Sequence, residues 1–398
     1  MSTKAIYNLS SFIEHPKWNK FPNLEINSIE FNQKKNLIIF ATNTGYRIYD
    51  LKTFKLLSIL DETQERIGNI SKANLLYSSE IICFLGGDNN NYFKPNQLIF
   101  FDDFLGISIG CLDFQERIFN FFITQYMVFI CLWNKIYIFE LSSLKYIHKI
   151  SRVDVDDNLI SVKENYNNIK KIINLAYVST IYNQENIICI INYWIDNKSR
   201  VTHYNKKNIK TNFENIKKLY LEGEDKIIVV NDLGNKVHIY QTNNNQLLFC
   251  IYMGNQKLNS TNFCLDLKEK FMVCLCDMDE IDIFKLKNID NQKYVCHCNS
   301  RPDQFINHRR KSSSNSFMGG YFDRMFNEST SPFLYDHINQ YADFYKCIFD
   351  LKRKDEIILI NNLGTAFRYK SNRIKEKEPL KLIKEEILFD EIEEEEEN

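Results

Sequence analysis

The sequence predicts an all-β fold, a seven-bladed β-propeller built from four-stranded blades. Three observations carry that prediction. A strand–turn–strand unit recurs along the chain. The aromatic near the end of each unit returns at spacings close to the length of a propeller blade. Alternating apolar residues prevail over helical periodicity.

The unit is first seen in ATNTGYRIYDLKTFKLLSIL, residues 41–60, where a glycine turn precedes an alternating run that ends in Tyr49-Asp50. PNQLIFFDDFLGISIGCL (95–112), CLWNKIYIFELSSLKYIHKI (131–150), DLGNKVHIYQTNNNQLLFCI (232–251), CDMDEIDIFKLKN (276–288) and NLGTAFRYKSN (362–372) repeat it. SRVTHYNKKN (199–208) is a weaker copy. The aromatics Tyr49, Phe101, Phe139, Tyr204, Tyr240, Phe284 and Tyr369 then lie 52, 38, 65, 36, 44 and 85 residues apart. A four-stranded WD40-like blade takes roughly 40–45 residues, so the long gaps call for insertions. One is visible at about 289–343, in the sixth unit. A lone four-stranded sheet cannot bury both faces, and stacking blades around an axis solves this. An array of β-sandwiches is the alternative. The propeller is expected over 1–376. Residues 377–398 read as an acidic tail, disordered or briefly helical, because EPLKLIKEEILFDEI has some helical periodicity and the chain closes in EEEEEN.

Composition limits the function. The chain has 398 residues, 44 % apolar and 14 % aromatic, ample for a large core, with only 12 Gly and 6 Pro. A net charge of −1 supplies no general field for nucleic acid, so no nucleic-acid partner is expected. Eleven irregularly spaced cysteines and an N-terminus without a basic-then-apolar signal suggest a reducing, cytoplasmic setting. The apolar run IFNFFITQYMVFICLW (118–133) is interrupted by Asn120, Thr124 and Gln125. It reads as two buried strands and a turn, being shorter than the ~20 residues that span a bilayer.

Three segments are more specific. INSIEFNQKKNLIIFATNTGYRIYDL (26–51), ANLLYSSEIICFLGGDNNNYFKPNQLIFFDD (73–103) and KIYIFELSSLKYIHKI (135–150) resemble the PROPPINs, the phosphoinositide-binding WD-repeat propellers of autophagy. The Gly-Gly, Pro-Asn, Asp-Asp string of the second segment is absent from generic WD-repeat propellers. The match fades over 151–220 and returns at 231–255 and near MGGYF (318–322).

The resemblance implies a lipid site around a Phe-Arg-Arg-Gly motif, each Arg serving one phosphoinositide pocket, with Ser/Thr pairs before and after it. Here the motif position reads Ile251-Tyr252-Met253-Gly254. Planar guanidinium donors are replaced by one hydroxyl and a thioether. The supporting pairs fall on Asn231 and Asn235, and on Cys276 and Glu280 beside Asp279. Carboxylates at that lip would repel phosphate. The usual two-arginine site is therefore expected to be lost.

The sixth-unit insertion holds INHRRKSSSNSFMGGYFDRMF (306–326), where family members carry a loop that dips apolar side chains into the bilayer. Arg309, Arg310 and Lys311 precede a serine run, and Phe317, Met318, Tyr321, Phe322, Met325 and Phe326 follow. Basic residues gain about 1 kcal/mol each near an anionic surface, and phosphorylation of the serines would oppose that. Alternatively the aromatics of 317–326 form the last strand of blade six.

Other motifs carry less. Cys296-His297-Cys298 has no second spaced pair to complete a zinc site. FLGGDNNN lacks the Gly-Lys-Ser/Thr of a phosphate-binding loop. No catalytic constellation, cofactor or metal is expected. The reading is a non-enzymatic scaffold, cytoplasmic and peripheral on autophagic or endolysosomal membranes. Its recruitment would rest on autophagy-type protein partners or the 306–326 loop, with direct phosphoinositide contact in doubt. The alternative is a soluble WD-repeat interaction scaffold with no membrane role.

Overall fold

The computed structural model describes residues 24–252, 258–266, 271–276, 280–285, 335–337, 344–349, 356–361, 364–370 and 381–388, apart from stretches at 62–66, 89, 155–158, 167–170, 180–186, 214 and 224. The described strands are numbered in chain order. The first sheet is β1 (Ile26–Phe31), β2 (Leu37–Thr42), β3 (Gly45–Asp50) and β4 (Leu56–Asp61). The second is β5 (Ile70–Leu75), β6 (Ile81–Gly86), β7 (Gln97–Asp102) and β8 (Ile107–Asp113). The third is β9 (Asn120–Ile123), β10 (Met127–Leu132), β11 (Lys135–Glu140) and β12 (Tyr146–Ser151). The fourth is β13 (Ile160–Tyr166), β14 (Lys171–Val178), β15 (Ile187–Ile195) and β16 (Val201–Lys210). The fifth is β17 (Ile216–Glu222), β18 (Lys226–Asn231), β19 (Lys236–Gln241) and β20 (Leu247–Tyr252). The sixth is β21 (Leu258–Asp266), β22 (Phe271–Cys276), β23 (Glu280–Lys285) and β24 (Tyr335–His337). The last is β25 (Phe344–Phe349), β26 (Glu356–Asn361), β27 (Thr365–Lys370) and β28 (Lys381–Ile387).

Every described sheet is an antiparallel meander, and together they make an all-β propeller with four-stranded blades. Burial peaks in the second strands. Second strands are sandwiched by neighbouring sheets on both faces, which is why β10, MVFICL, is apolar at every position and wholly buried. Outer strands are wet: all seven residues of β8 are exposed or half-buried.

Sheet-to-sheet packing carries the core. Ile39, Tyr46 and Ile48 of the first sheet pack with Ile82, Phe84 and Phe101 of the second. Cys83, Leu85 and Phe100 pack with Phe121, Val128 and Ile130 of the third, and Phe129 and Ile138 with Ile173, Leu175 and Tyr193 of the fourth. Ile188 and Ile190 then meet Ile227 and Val229 of the fifth. β17 lies against β21, and β21 against β25. Ile38, Phe40 and Tyr49 pack against Ile348, Ile358 and Ile360, bringing the last sheet onto the first.

That junction also holds a buried ion pair. Arg368 Nη1 lies 3.0 Å from Glu356 Oε2, with both side chains almost fully buried. The same guanidinium donates to the Leu51 and Lys52 carbonyls at 2.7 and 3.2 Å and covers the Phe54 ring. The Tyr49 hydroxyl donates to the Leu388 carbonyl.

The turns between first and second strands also meet. Gln33 Nε2 donates to the Ile123 carbonyl at 3.1 Å, and its Oε1 accepts from the Tyr77 amide at 2.6 Å. The Tyr77 hydroxyl and the Gln125 amide both donate to Glu164. Burial raises the Glu164 carboxyl above the usual carboxylate range, against the lowering effect of those bonds. One polar knot thus joins the first four sheets.

The aromatic ruler marks a structural feature. A bulge separates the third and fourth strands at Ile48/Tyr49, Phe100/Phe101, Ile138/Phe139, Ile239/Tyr240 and Arg368/Tyr369. In the fourth sheet it falls at Trp194/Ile195. The marker there is Ile195, and Tyr204, chosen from sequence, sits on the outer strand β16. After the bulges of the first and second sheets the chain turns tightly. The Asp50 side chain accepts from the amides of Lys52 and Thr53, and Asp102 does the same for Phe104 and Leu105. This is the Asx-turn chemistry that places an aspartate after the aromatic.

Two expectations need correction. The segment expected to begin a tail at 377 contains β28, which pairs with β27 from Thr365↔Ile387 to Lys370↔Lys381 as the outer strand of the last sheet. Pairing with a sheet edge outweighs its weak helical spacing. Among the described residues the fourth strand of the sixth sheet is β24, which lies within the stretch 289–343 read as an insertion, while residues 317–326 lie outside the described residues. Residues 118–133 form two strands and a turn, as the sequence suggested.

Candidate functional site

The turn between β18 and β19 positions the first supporting pair. Asn231 is buried and closes β18. Its Nδ2 donates to Asn235 Oδ1 at 2.9 Å, its Oδ1 accepts from the Lys236 amide at 2.8 Å, and its carbonyl accepts from the Gly234 amide at 2.9 Å. Gly234 sits at φ +69°, where glycine is favoured. The two asparagines therefore lock their own turn.

The same device occurs elsewhere. Asn32 Nδ2 donates to Asn36 Oδ1 at 2.8 Å, and Asn32 Oδ1 accepts from the amides of Asn36 and Leu37. NQKKN and NDLGN share the asparagine spacing. That shared spacing is the sequence signal for a turn lock, which the reading of Asn231 and Asn235 as degenerate lipid-site positions left aside.

Tyr252 is the last residue of β20, with its backbone opposite Lys236. Lys236 puts a cation beside the motif that sequence reading did not single out. Met253 and Gly254 lie outside the described residues. Cys276 and Glu280 are directly paired at the ends of β22 and β23. The two supporting pairs thus occupy the same turn in consecutive sheets, with the motif between them in the chain. Nearby His238 stacks on Phe213 at 4.1 Å and shares a 3.1 Å hydrogen bond with the Tyr240 hydroxyl. Burial, then Lys236, lowers its pKa to about 4, so the ring is neutral at pH 7 and offers no cation to an anionic ligand.

The Gly-Gly, Pro-Asn, Asp-Asp string has structural duties throughout. A Cβ on Gly86 would stand 1.9 Å from the Phe93 carbonyl oxygen, and one on Gly87 about 2.5 Å from the Asn69 side chain. The Pro95 carbonyl accepts from the Ile118 amide, and Asn96 donates to Asp113 and to the Phe114 carbonyl. Asp102 closes its turn, while Asp103 accepts from Tyr46 at 2.5 Å and Ser58 at 2.9 Å, tying the second sheet to the first.

The candidate membrane loop, Arg309 to Phe326, and Cys296-His297-Cys298 lie outside the described residues. Their place in the topology is fixed by their flanks. β23 and β24 are adjacent antiparallel strands, so residues 286–334 connect the third and fourth strands of the sixth sheet. Among the described residues no helix is long and apolar enough to cross a membrane.

No family model matches the chain. Among curated proteins it is 26 % identical over 137 residues to "Autophagy-related protein 18e" of Arabidopsis thaliana, covering 34 % of this chain and 36 % of that protein. It is 32 % identical over 78 residues to "SVP1-like protein 2" of Schizosaccharomyces pombe, covering 20 % of this chain and 21 % of that protein. The matched stretches thus span about a third or less of these relatives. Among solved structures it resembles Kluyveromyces lactis Hsv2 with a complete loop 6CD, at a TM-score of 0.63 and 13 % identity over 92 % of this chain and 100 % of that one. The complex of KlAtg21 with the coiled coil of AgAtg16 gives 0.63 and 13 % over 91 % and 99 %. At such identity these two structures speak for the fold.

Proposed function

Starting from a chain that is PROPPIN-like in local sequence and in fold, we propose that its seven sheets are the seven blades of a non-enzymatic autophagy-type scaffold whose two-arginine lipid site has been lost. The carrying observation is the motif position itself. Tyr252 and Met253 stand where the family has arginines, and Asn231 and Asn235 are engaged with each other in a turn. Lys236 alone is a poor substitute for two bidentate guanidinium groups. Recruitment to membranes then rests on a protein partner or on the 306–326 loop. A propeller of the same fold has been solved with the coiled coil of Atg16, which makes a helical autophagy protein a reasonable partner class.

Co-sedimentation with vesicles containing phosphatidylinositol 3-phosphate tests the reading. The unaltered protein should show no preference for the lipid, and Tyr252→Arg/Met253→Arg, which returns guanidinium donors to the motif, should bind it at least as well. Strong lipid-dependent binding by the unaltered protein, abolished by changes at Tyr252 and Met253, would contradict it. Deleting 306–326 addresses the purely soluble alternative, which predicts unchanged localisation.

A further inference from the structure

The outer strands of the third and fourth sheets form a cationic rim. The stretches 145–152 and 197–210 contain no aspartate or glutamate. Lys145, Lys149 and Arg152 line the first, and Arg200, Lys206 and Lys207 the second. All are exposed except Lys207, which is half-buried. None of the six makes an ion pair with a carboxylate among the described residues. Such a concentration is local, because the whole chain carries −1. Asp196, the described carboxylate nearest in sequence to Arg200, accepts from the amides of Lys198 and Arg200.

The two stretches are continuous. His148 of β12 stacks on Tyr204 of β16 at 4.6 Å, and Tyr193 bonds His148 from beneath at 3.2 Å. Trp194 and His203 stack at 4.4 Å. These ring contacts tie β16 to β12 and β15. β16 is also ten residues long and, among the described residues, pairs only with β15. On its outer edge Asn245 reaches the Asn208 carbonyl, near one end. The edge from Val201 to Lys207 therefore presents main-chain donors and acceptors to a further strand, with cations at its flanks. Edge lysines commonly discourage strand pairing between like chains. They do not discourage a strand of opposite charge.

We infer that β16 and the adjoining basic edge of β12 bind an acidic, extended segment of a partner protein by strand addition. Main-chain bonds would supply register, and Lys206, Lys207 and Arg200 the selection for carboxylates. The site is separate from the motif at 251–254 and does not depend on any lipid role.

The test uses the full chain and a capped peptide of alternating Glu and Val, matched in length to β16. Titration calorimetry should show salt-sensitive binding. Arg200→Glu/Lys206→Glu/Lys207→Glu should weaken it at least about ten-fold, as should N-methylation of alternate peptide amides. The milder Lys206→Gln/Lys207→Gln should give a partial loss with an unchanged melting temperature, which separates binding from folding. Absence of peptide binding, binding that survives the triple reversal, or capture of phosphatidylserine vesicles in place of the peptide would each overturn the inference.

Discussion

Two outer strands in the same propeller show opposite chemistry. β8 and the turn before it expose Phe104, Leu105, Ile107 and Ile109, with no charged residue from Phe104 to Leu112. β16 exposes Tyr204 among lysines and histidine. Both are fourth strands, and both pair with a buried third strand. The core constrains the inner three strands of a blade and leaves the fourth largely free. Differences between blades therefore collect at the rim, which is where a scaffold distinguishes its partners. An apolar rim favours contacts that exclude water, and a cationic rim favours carboxylates.

Breaking the ring should erase both rims together, and this is the largest effect expected. Arg368→Met removes the guanidinium beside the buried Glu356 carboxylate, a loss of about 3–5 kcal/mol. Its urea midpoint should fall sharply, with both the apolar and the cationic rim failing in the same transition. Acid should act next, and nearer to β16. His238 belongs to the fifth sheet, whose Asn245 caps β16. Its pKa is depressed in the fold, so the unfolded chain takes up the proton first. Stability is full above about 6.5 and should decline as pH falls toward about 4. His238→Phe should flatten that slope in melts run across the range, while the behaviour of β8 stays the same. The smallest change in stability is expected at the apolar rim itself. Ile107→Lys/Ile109→Lys should alter stability by no more than about 0.5 kcal/mol. Binding of an apolar fluorescent dye to the folded protein should nevertheless fall, making β8 resemble β16.

Much of this fold was legible because it is written in turns. An aromatic near the end of a third strand reports a bulge that recurs in five sheets, and an aspartate after it reports an Asx turn in the first two. The fourth sheet was hard to place because its bulge carries Ile195, which no aromatic ruler detects. β28 escaped because KLIKEEI reads as a weak helix in isolation. Its place is set by the open edge of β27, and Lys384 reaches the Thr53 carbonyl of the first sheet. The Gly-Gly and Asp-Asp residues that carried the resemblance are steric and turn-closing, so they report the fold and carry no direct news of a ligand. Asn231 and Asn235 show the converse. Their alignment suggested a weakened lipid pocket, but the repeat of their spacing at Asn32 and Asn36 already described a turn.

The central claim is that this propeller works as a scaffold without its arginine pockets. The most direct measurement is the binding of purified protein to vesicles with and without phosphatidylinositol 3-phosphate, at low and high salt. We predict no lipid-specific difference for the unaltered chain. Specific binding that persists at high salt and vanishes when Lys236 and Tyr252 are changed would contradict the account.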